Sequence, residues 1–114
     1  MPNQEAILDD VFRALADPTR RAVVQRLNKG PASVKELAAP FEMALPSFMQ
    51  HLQVLEDSGL VKSKKTGRVR TCSIKQKELA KAERWLSKQR AMWEARFDRL
   101  DAYLDELQSK GKEK

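Results

Sequence analysis

The residues best suited to bind a charged partner form a basic cluster in the second half of the chain. Seven of the 22 lysines and arginines lie within residues 61–77, where no aspartate or glutamate occurs. The formal net charge of the 114-residue chain is +6, so this segment accounts for the surplus. Basic side chains concentrated on one element are typical of a surface that contacts phosphates. A solvated basic hairpin without a partner would show the same pattern, and both interpretations stay open here.

A second group of polar side chains precedes this cluster on a predicted helix. We expect Ser47, Gln50 and His51, with Met49 beside them, on the outward face of that helix. In a helix-turn-helix the second helix lies in the major groove of DNA, where such side chains contact base edges. An ordinary surface helix would also carry them, since pairs of short helices are common.

The chain shows no arrangement of residues suited to catalysis or metal binding. His51 is the single histidine and lacks Ser, Cys or acidic partners at a recognisable spacing, so we expect no catalytic residue and no enzyme activity. Cys72 is the single cysteine, and zinc sites need three or four ligands. We therefore expect no metal and no cofactor, and we expect Cys72 to fill space on a strand.

The composition is that expected of a protein in a reducing, aqueous compartment. A lone cysteine cannot form an intramolecular disulfide. No segment approaches the roughly 20 apolar residues needed to span a bilayer, and the first residues do not resemble a signal peptide. We therefore predict a cytoplasmic protein without a membrane partner.

Two helices are predicted at the start of the chain. Apolar residues at helical spacing indicate the first over residues 4–16. The second is predicted over residues 18–28, because Asp17 can cap its free backbone N–H groups and Pro18 is tolerated in a first turn. Its buried side chains should be Val23, Val24 and Leu27.

A helix-turn-helix is predicted next. The third helix spans residues 33–39 behind a capping box formed by Ser33 and Glu36. The fourth begins after a short connection, with Pro46 in its first turn, and ends at Ser58-Gly59. Its apolar residues are spaced as one buried stripe, which consists of Leu45, Phe48, Leu52 and Leu55.

A β-hairpin should follow the helix-turn-helix. Strand-like runs over residues 60–65 and 68–74 are joined by Thr66-Gly67, where glycine allows a tight turn. A basic hairpin at this place is a wing, positioned to contact phosphates or the minor groove. The predicted wing contacts are Lys62, Lys64, Lys65, Arg68 and Arg70.

One long helix is predicted over residues 76–110. Leucine or tryptophan recurs every seven residues at Leu79, Leu86, Trp93, Leu100 and Leu107. A seven-residue apolar period is typical of a helix that packs against another helix, frequently from a second subunit. We therefore predict a homodimer and an inverted-repeat DNA site. The predicted interface residues are Phe12, Leu86, Trp93, Phe97, Leu100 and Leu104.

These elements predict a mainly α fold with a small β-hairpin wing. Residues 1–114 should form a single winged helix-turn-helix domain with five helices. Its DNA-binding part spans about residues 17–75, and its dimerisation helices span about residues 4–16 and 76–110.

The sequence resembles the ArsR family of bacterial winged-helix repressors. The motifs that carry the resemblance are ALADPTRR, SVKELA, HLQVLEDSGLV and KKTGRVR, across about residues 12–74. The resemblance implies a winged-helix dimer that represses by occupying a promoter. It also implies that Ser47, Gln50 and His51 contact DNA from the fourth helix and that Lys64, Lys65, Arg68 and Arg70 do so from the wing.

The chain departs from the family pattern at the start of the fourth helix and at the metal sites. Where this chain has Ala44, Leu45 and Met49, the family usually has Ser or Thr, a polar or basic residue, and often Ser, respectively. The Met49 side chain is placed either to touch a thymine methyl or to pack. The paired cysteines of metal-sensing members are missing from residues 36–39. The tail looks like that of a subgroup without these motifs, and no effector is identified.

Three classes of function remain for such a chain. A sequence-specific DNA-binding repressor fits the combined pattern. A winged-helix module that binds protein or structured RNA would use the same basic surface. A small enzyme is the third class, although no nucleophile, base or cofactor motif is present.

Overall fold

The structure, a computed structural model, describes residues 4–112 and consists mainly of helices. Among these residues the five helices are α1 (Gln4–Leu15), α2 (Pro18–Leu27), α3 (Val34–Ala38), α4 (Leu45–Asp57) and α5 (Gln76–Lys112). The strands are β1 (Ala32–Ser33), β2 (Val61–Thr66) and β3 (Val69–Ile74). Contacts within the chain define two compact units, a first that ends at Ala82 and a second that begins at Glu83. The predicted winged helix-turn-helix with a long last helix is confirmed.

The first two helices pack together as expected from their caps and apolar faces. The Asp17 carboxylate accepts a hydrogen bond of 3.1 Å from the backbone N–H of Arg20, and Pro18 occupies the first turn of α2. Val11 and Ala14 of α1 are fully buried in the core. The buried face of α2 is the predicted one, formed by Val23, Val24 and Leu27.

The third helix begins at a cap and at a strand that the sequence pattern does not predict. The Ser33 hydroxyl accepts a hydrogen bond of 3.1 Å from the backbone N–H of Glu36, which confirms half of the predicted capping box. Ala32 and Ser33 also pair with β3 opposite Cys72 and Thr71. Two residues are too few to show an alternating pattern. This pairing attaches the start of α3 directly to the wing.

The sheet is antiparallel, with strand order β1-β3-β2. Thr66 pairs with Val69, so Gly67 and Arg68 form the two-residue turn of the hairpin. Gly67 has a φ of +63°. A two-residue hairpin turn needs a positive φ at its first residue, and glycine adopts this conformation without strain. The prediction that Arg68 belongs to a strand is therefore wrong, because it lies at the tip of the turn.

Helix α4 is held by the core through three buried side chains of the predicted stripe, Phe48, Leu52 and Leu55. The ring of Phe41, in the connection before α4, stacks on Phe48 with centroids 5.8 Å apart. The fourth member of the stripe, Leu45, was predicted to be buried, and this is wrong. Leu45 is 57% exposed because it stands in the first turn of α4, where the core does not reach.

The passage from α4 to the wing depends on Gly59. This residue has a φ of +81°, a backbone conformation that side chains with a Cβ rarely adopt. A Cβ at Gly59 would also lie 2.6 Å from Cγ of Glu78 in α5. Glycine is therefore required here for both conformation and space.

Helix α5 runs across the boundary between the two units. Its first turns belong to the first unit, where Ala82 is buried and Leu79 packs against the core. The apolar side chains that follow at the predicted seven-residue spacing, Leu86, Trp93, Leu100 and Leu107, are exposed. The helix prediction is confirmed, whereas only the first member of the repeat contributes to the core.

Candidate nucleic-acid interface

The outer face of α4 presents polar side chains on a firmly packed helix. Ser47 and Gln50 are exposed, on the side of the helix away from the buried Phe48 and Leu52. Met49 is half-buried, next to the exposed outer face. A helix fixed by its inner face and polar on its outer face has the form of a recognition helix.

His51 is placed differently from its neighbours on α4. Its Nδ1 lies 3.0 Å from a guanidinium nitrogen of Arg20, which donates to it, and 3.8 Å from the Asp17 carboxylate. The imidazole therefore faces the start of α2. His51 is thus half-buried and not on the fully outward side predicted for it, and the contact favours a role in positioning α4 against α2 over the predicted DNA contact.

Arg20, which is not among the predicted contact residues, is the centre of this junction. Its Nε donates to the backbone carbonyl of Ala14 at 2.7 Å, and its second terminal nitrogen donates to the carbonyl of Arg13 at 3.0 Å. One guanidinium thus joins the end of α1, the start of α2 and the middle of α4.

The same junction changes the acidity of Asp17. Burial tends to raise the pKa of its carboxyl group. The opposing effects are stronger and hold the pKa below its ordinary value: hydrogen bonds from the backbone N–H groups of Arg20 and Thr19, and the nearby positive charge of Arg20. Asp17 is therefore both the cap of α2 and the anionic member of the junction.

A sequence signal for this junction exists in the first turn of α2. Arg20 and Arg21 stand there, although the helix dipole disfavours cations at an N-terminus. Arg21 also donates to the last turn of α1, to the carbonyl of Leu15 at 2.8 Å. Basic residues in such an unfavourable place indicate that their partners lie elsewhere, here at the free carbonyls of the preceding helix.

The wing presents four of the five basic side chains that the sequence predicts. Lys62, Lys64, Lys65 and Arg68 are exposed. Because side chains alternate along a strand, Lys62 and Lys64 share one face of β2, and Lys65 lies on the other. Arg68 extends from the turn between the strands. The wing therefore carries positive charge on both faces and at its tip.

Arg70, the fifth predicted wing residue, is half-buried and bonded to other side chains of the protein. Its guanidinium pairs with both carboxylate oxygens of Glu56 in α4, at 2.5 and 2.6 Å, and its Nε donates to the Ser63 hydroxyl at 2.9 Å. The Ser63 hydroxyl in turn donates to Glu56 at 2.6 Å. These bonds tie the wing to α4, so the structure favours a positioning role for Arg70 over a phosphate contact.

Cys72 lies fully buried on β3. Burial raises the pKa of its thiol, the negative charge of Glu56 adds to the rise, and Arg70 partly offsets it. A buried thiol with a raised pKa is a poor nucleophile.

The second unit carries the surface predicted to hold two copies together. We call this surface the α5 stripe; its members are Leu86, Met92, Trp93, Phe97, Leu100, Tyr103, Leu104 and Leu107, all exposed in the single chain. The rings of Trp93 and Phe97 lie 6.0 Å apart, and the guanidinium of Arg96 stands 5.4 Å from the Trp93 ring centroid. Phe12, also predicted at the interface, is half-buried against the core of the first unit.

Within residues 4–112 no group of three or more His, Cys, Asp or Glu side chains is placed to hold a metal ion. No helix in that part of the chain is long and apolar enough to cross a bilayer.

Known proteins resemble this chain in both sequence and structure. A family profile described as a helix-turn-helix domain matches residues 15–64, from the end of α1 into the wing. The crystal structure of an ArsR family transcriptional regulator superposes with a TM-score of 0.76 and is 54% identical, covering 82% of this chain and 97% of that one. The chain belongs to the ArsR family. Its helix-turn-helix and wing are therefore those of a transcriptional regulator.

Curated relatives give the same assignment. An HTH-type transcriptional regulator of Mycobacterium tuberculosis is 46% identical over 59 residues, which is 52% of this chain and 55% of that protein. The transcriptional repressor SdpR of Bacillus subtilis is 27% identical over 79 residues, 69% of this chain and 88% of that protein. The match thus spans little more than half of the mycobacterial regulator and most of the Bacillus repressor.

Proposed function

We propose that this ArsR-family protein is a transcriptional repressor that binds an inverted-repeat operator as a homodimer. The observation that carries the proposal is the combination, within the first unit, of an exposed polar face on α4 and an exposed basic wing tied to that helix through Arg70 and Glu56. A relative named as a repressor supports the direction of regulation.

Each part of the interface has its own role in this proposal. Ser47 and Gln50 contact base edges in the major groove, since hydroxyl and amide groups match the donors and acceptors there. Lys62, Lys64, Lys65 and Arg68 contact phosphates, which position the protein and supply most of its non-specific affinity. His51 and Arg70 hold α4 in place relative to α2 and the wing. We assign no catalytic residue and no cofactor to this surface.

The homodimer is proposed from the α5 stripe. Contiguous exposed apolar side chains of this kind are rare on monomeric proteins and mark a contact surface. A seven-residue repeat on a long helix suits a second, identical helix. Two subunits related by a dyad present their α4 helices to successive major grooves, roughly 34–36 Å apart, which requires an inverted repeat. Since its target is the chromosome, we place the protein in the cytoplasm.

A gel-shift assay with the DNA upstream of the protein's own gene tests the proposal. We expect a specific complex, and a footprint of that complex should show two related half-sites. A plot of log affinity against log salt concentration should be steep, because phosphate contacts release counterions. Equal affinity for unrelated duplexes of the same length would instead favour the alternative of a protein- or RNA-binding module.

A matched pair of variants locates the DNA-contacting surface. Replacing both Lys62 and Lys64 by alanine should weaken binding to every duplex and lower the salt dependence. Replacing both Lys29 and Arg84, two exposed basic residues outside the wing and the α5 stripe, should leave both quantities unchanged. Equal loss in the two variants would show that net charge, rather than the wing, determines binding.

A further inference from the structure

The first unit exposes two large apolar side chains, and both line the same groove. Among the described residues the other exposed large hydrophobics lie on α5, whereas Leu45 and Val69, at 57% and 52% exposure, lie on α4 and the wing. The groove has a volume of about 1120 Å³ and runs between α3, the start of α4 and the hairpin. Met43 and Met49 add to its apolar lining, which we call the floor, and the exposed cations Lys35 of α3 and Lys65 and Arg68 of the wing also line the groove.

The position of the groove indicates its occupant. The first turns of the second helix of a helix-turn-helix are the part that contacts base edges. Leu45 and Met49 are four residues apart, so they lie on one face of α4, and both line the same groove. Two of the cations that line the groove, Lys65 and Arg68, belong to the wing that we place against phosphates. A DNA strand held by this wing and by α4 therefore passes the apolar floor.

The chemistry of the floor selects among the bases. Leu45 and Met49 offer no hydrogen bond, so they discriminate through apolar contact alone. The C5-methyl group of thymine is the apolar feature that base pairs present in the major groove. We propose that Leu45 and Met49 contact thymine methyl groups in each operator half-site. This inference rests on the proposed function and adds the base type that this part of the surface selects.

A deoxyuridine scan tests the inference on the unmodified protein. The operator is first selected from a random duplex library, and each thymine is then replaced in turn by deoxyuridine, which removes the methyl group and keeps the base pairing. We expect one or two positions in each half-site at which the dissociation constant rises about fourfold, the effect of one buried methyl. A scan in which no position responds would overturn the inference.

Two variants connect that effect to this groove. Leu45→Ala should bind the thymine operator more weakly and lose the preference for thymine over deoxyuridine at the sensitive position. Gln50→Ala, one position beyond Met49, should weaken binding and keep that preference. Leu45 is exposed, so we expect Leu45→Ala to unfold at the same temperature as the parent protein, and thermal unfolding checks this.

The failures of the two proposals are distinguishable. Sequence-specific binding that ignores every methyl group, or an undiminished thymine preference in Leu45→Ala, would overturn the methyl contact and leave the repressor intact. Failure to select or retard any duplex would overturn the repressor and the methyl contact together.

Discussion

The apolar side chains of the two units differ in burial: those of the first unit are mostly buried, and those of the second are exposed. In the first unit Phe48, Leu37 and Leu52 are almost fully buried, and the chain completes that core by itself. In the second unit Trp93 and Phe97 keep more than half of their surface exposed. Both sets have helical spacing, so periodicity alone does not tell a core from an interface. The difference is whether the chain supplies another apolar surface to cover the side chains.

The largest effect should come from the core of the first unit. Phe48→Ala should lower the free energy of unfolding by about 3–5 kcal/mol, because it leaves a cavity that neighbouring side chains cannot fill. Urea unfolding followed by circular dichroism measures this at one fixed protein concentration, since dimer stability depends on concentration. A loss below about 1 kcal/mol would mean that this region is not the folding core.

The matching change in the second unit should act on association. Trp93→Ala should raise the dissociation constant of the dimer by at least about 30-fold, as large aromatic residues dominate helix interfaces. Sedimentation velocity across a dilution series measures it. Asp98→Ala, on the opposite side of α5, is the control and should remain dimeric. Dimers that persist unchanged in Trp93→Ala would remove the α5 stripe from the proposed interface.

A smaller contrast separates two arginines of the wing. Arg70→Ala should cost about 1–3 kcal/mol of stability, because it leaves the largely buried Glu56 carboxylate without its positively charged partner and with only the Ser63 hydroxyl bonded to it. Arg68→Ala should leave stability unchanged and reduce the slope of log affinity against log salt by about one unit for each subunit bound. If Arg70→Ala lowered the slope and Arg68→Ala did not, the assignment of the two side chains would be reversed.

The smallest effect concerns the cap of α2. Asp17→Ala should cost about 1 kcal/mol at neutral pH. Because the folded state lowers the pKa of Asp17, its charge stabilises the fold above the unfolded pKa of about 3.9, and this contribution is lost as the pH falls through the lower, folded value. The difference in unfolding free energy between the parent protein and the variant should therefore shrink in acid.

Asp17→Asn is the control for that experiment. Asparagine caps a helix nearly as well as aspartate but does not titrate. This variant should keep most of the stability at neutral pH and show a weaker dependence on pH than the parent protein. An identical dependence in both proteins would mean that other carboxyl groups account for it.

The sequence predicts the helices well because their signals are local. A cap and a first-turn proline mark the start of α2 at Asp17 and Pro18, and turn glycine at Gly67 marks the hairpin. Each signal lies within a few residues of the element it starts or ends. The two-residue strand β1 has no such signal, since its only evidence is pairing with a segment about 40 residues away.

The candidate site could be predicted in part. Ser47 and Gln50 are exposed as expected, because the spacing of the buried residues on α4 determines which side faces outward. The spacing does not show which basic residues are already bonded to other side chains of the protein. Arg70 meets Glu56 across 14 positions of sequence, and Arg20 meets His51 across 31. Such pairs depend on how helices and strands come together.

The sequence alone therefore determines the order of elements, their caps and the concentration of charge on the wing. These features follow from neighbouring residues and from helix and strand periods. The groove beside Leu45 was decided by the tertiary structure. Helical spacing places Leu45 in line with the buried residues of α4, but only the positions of α3 and the wing show that the core ends before it. Burial is a property of what stands opposite a side chain, and that is settled by packing between distant segments.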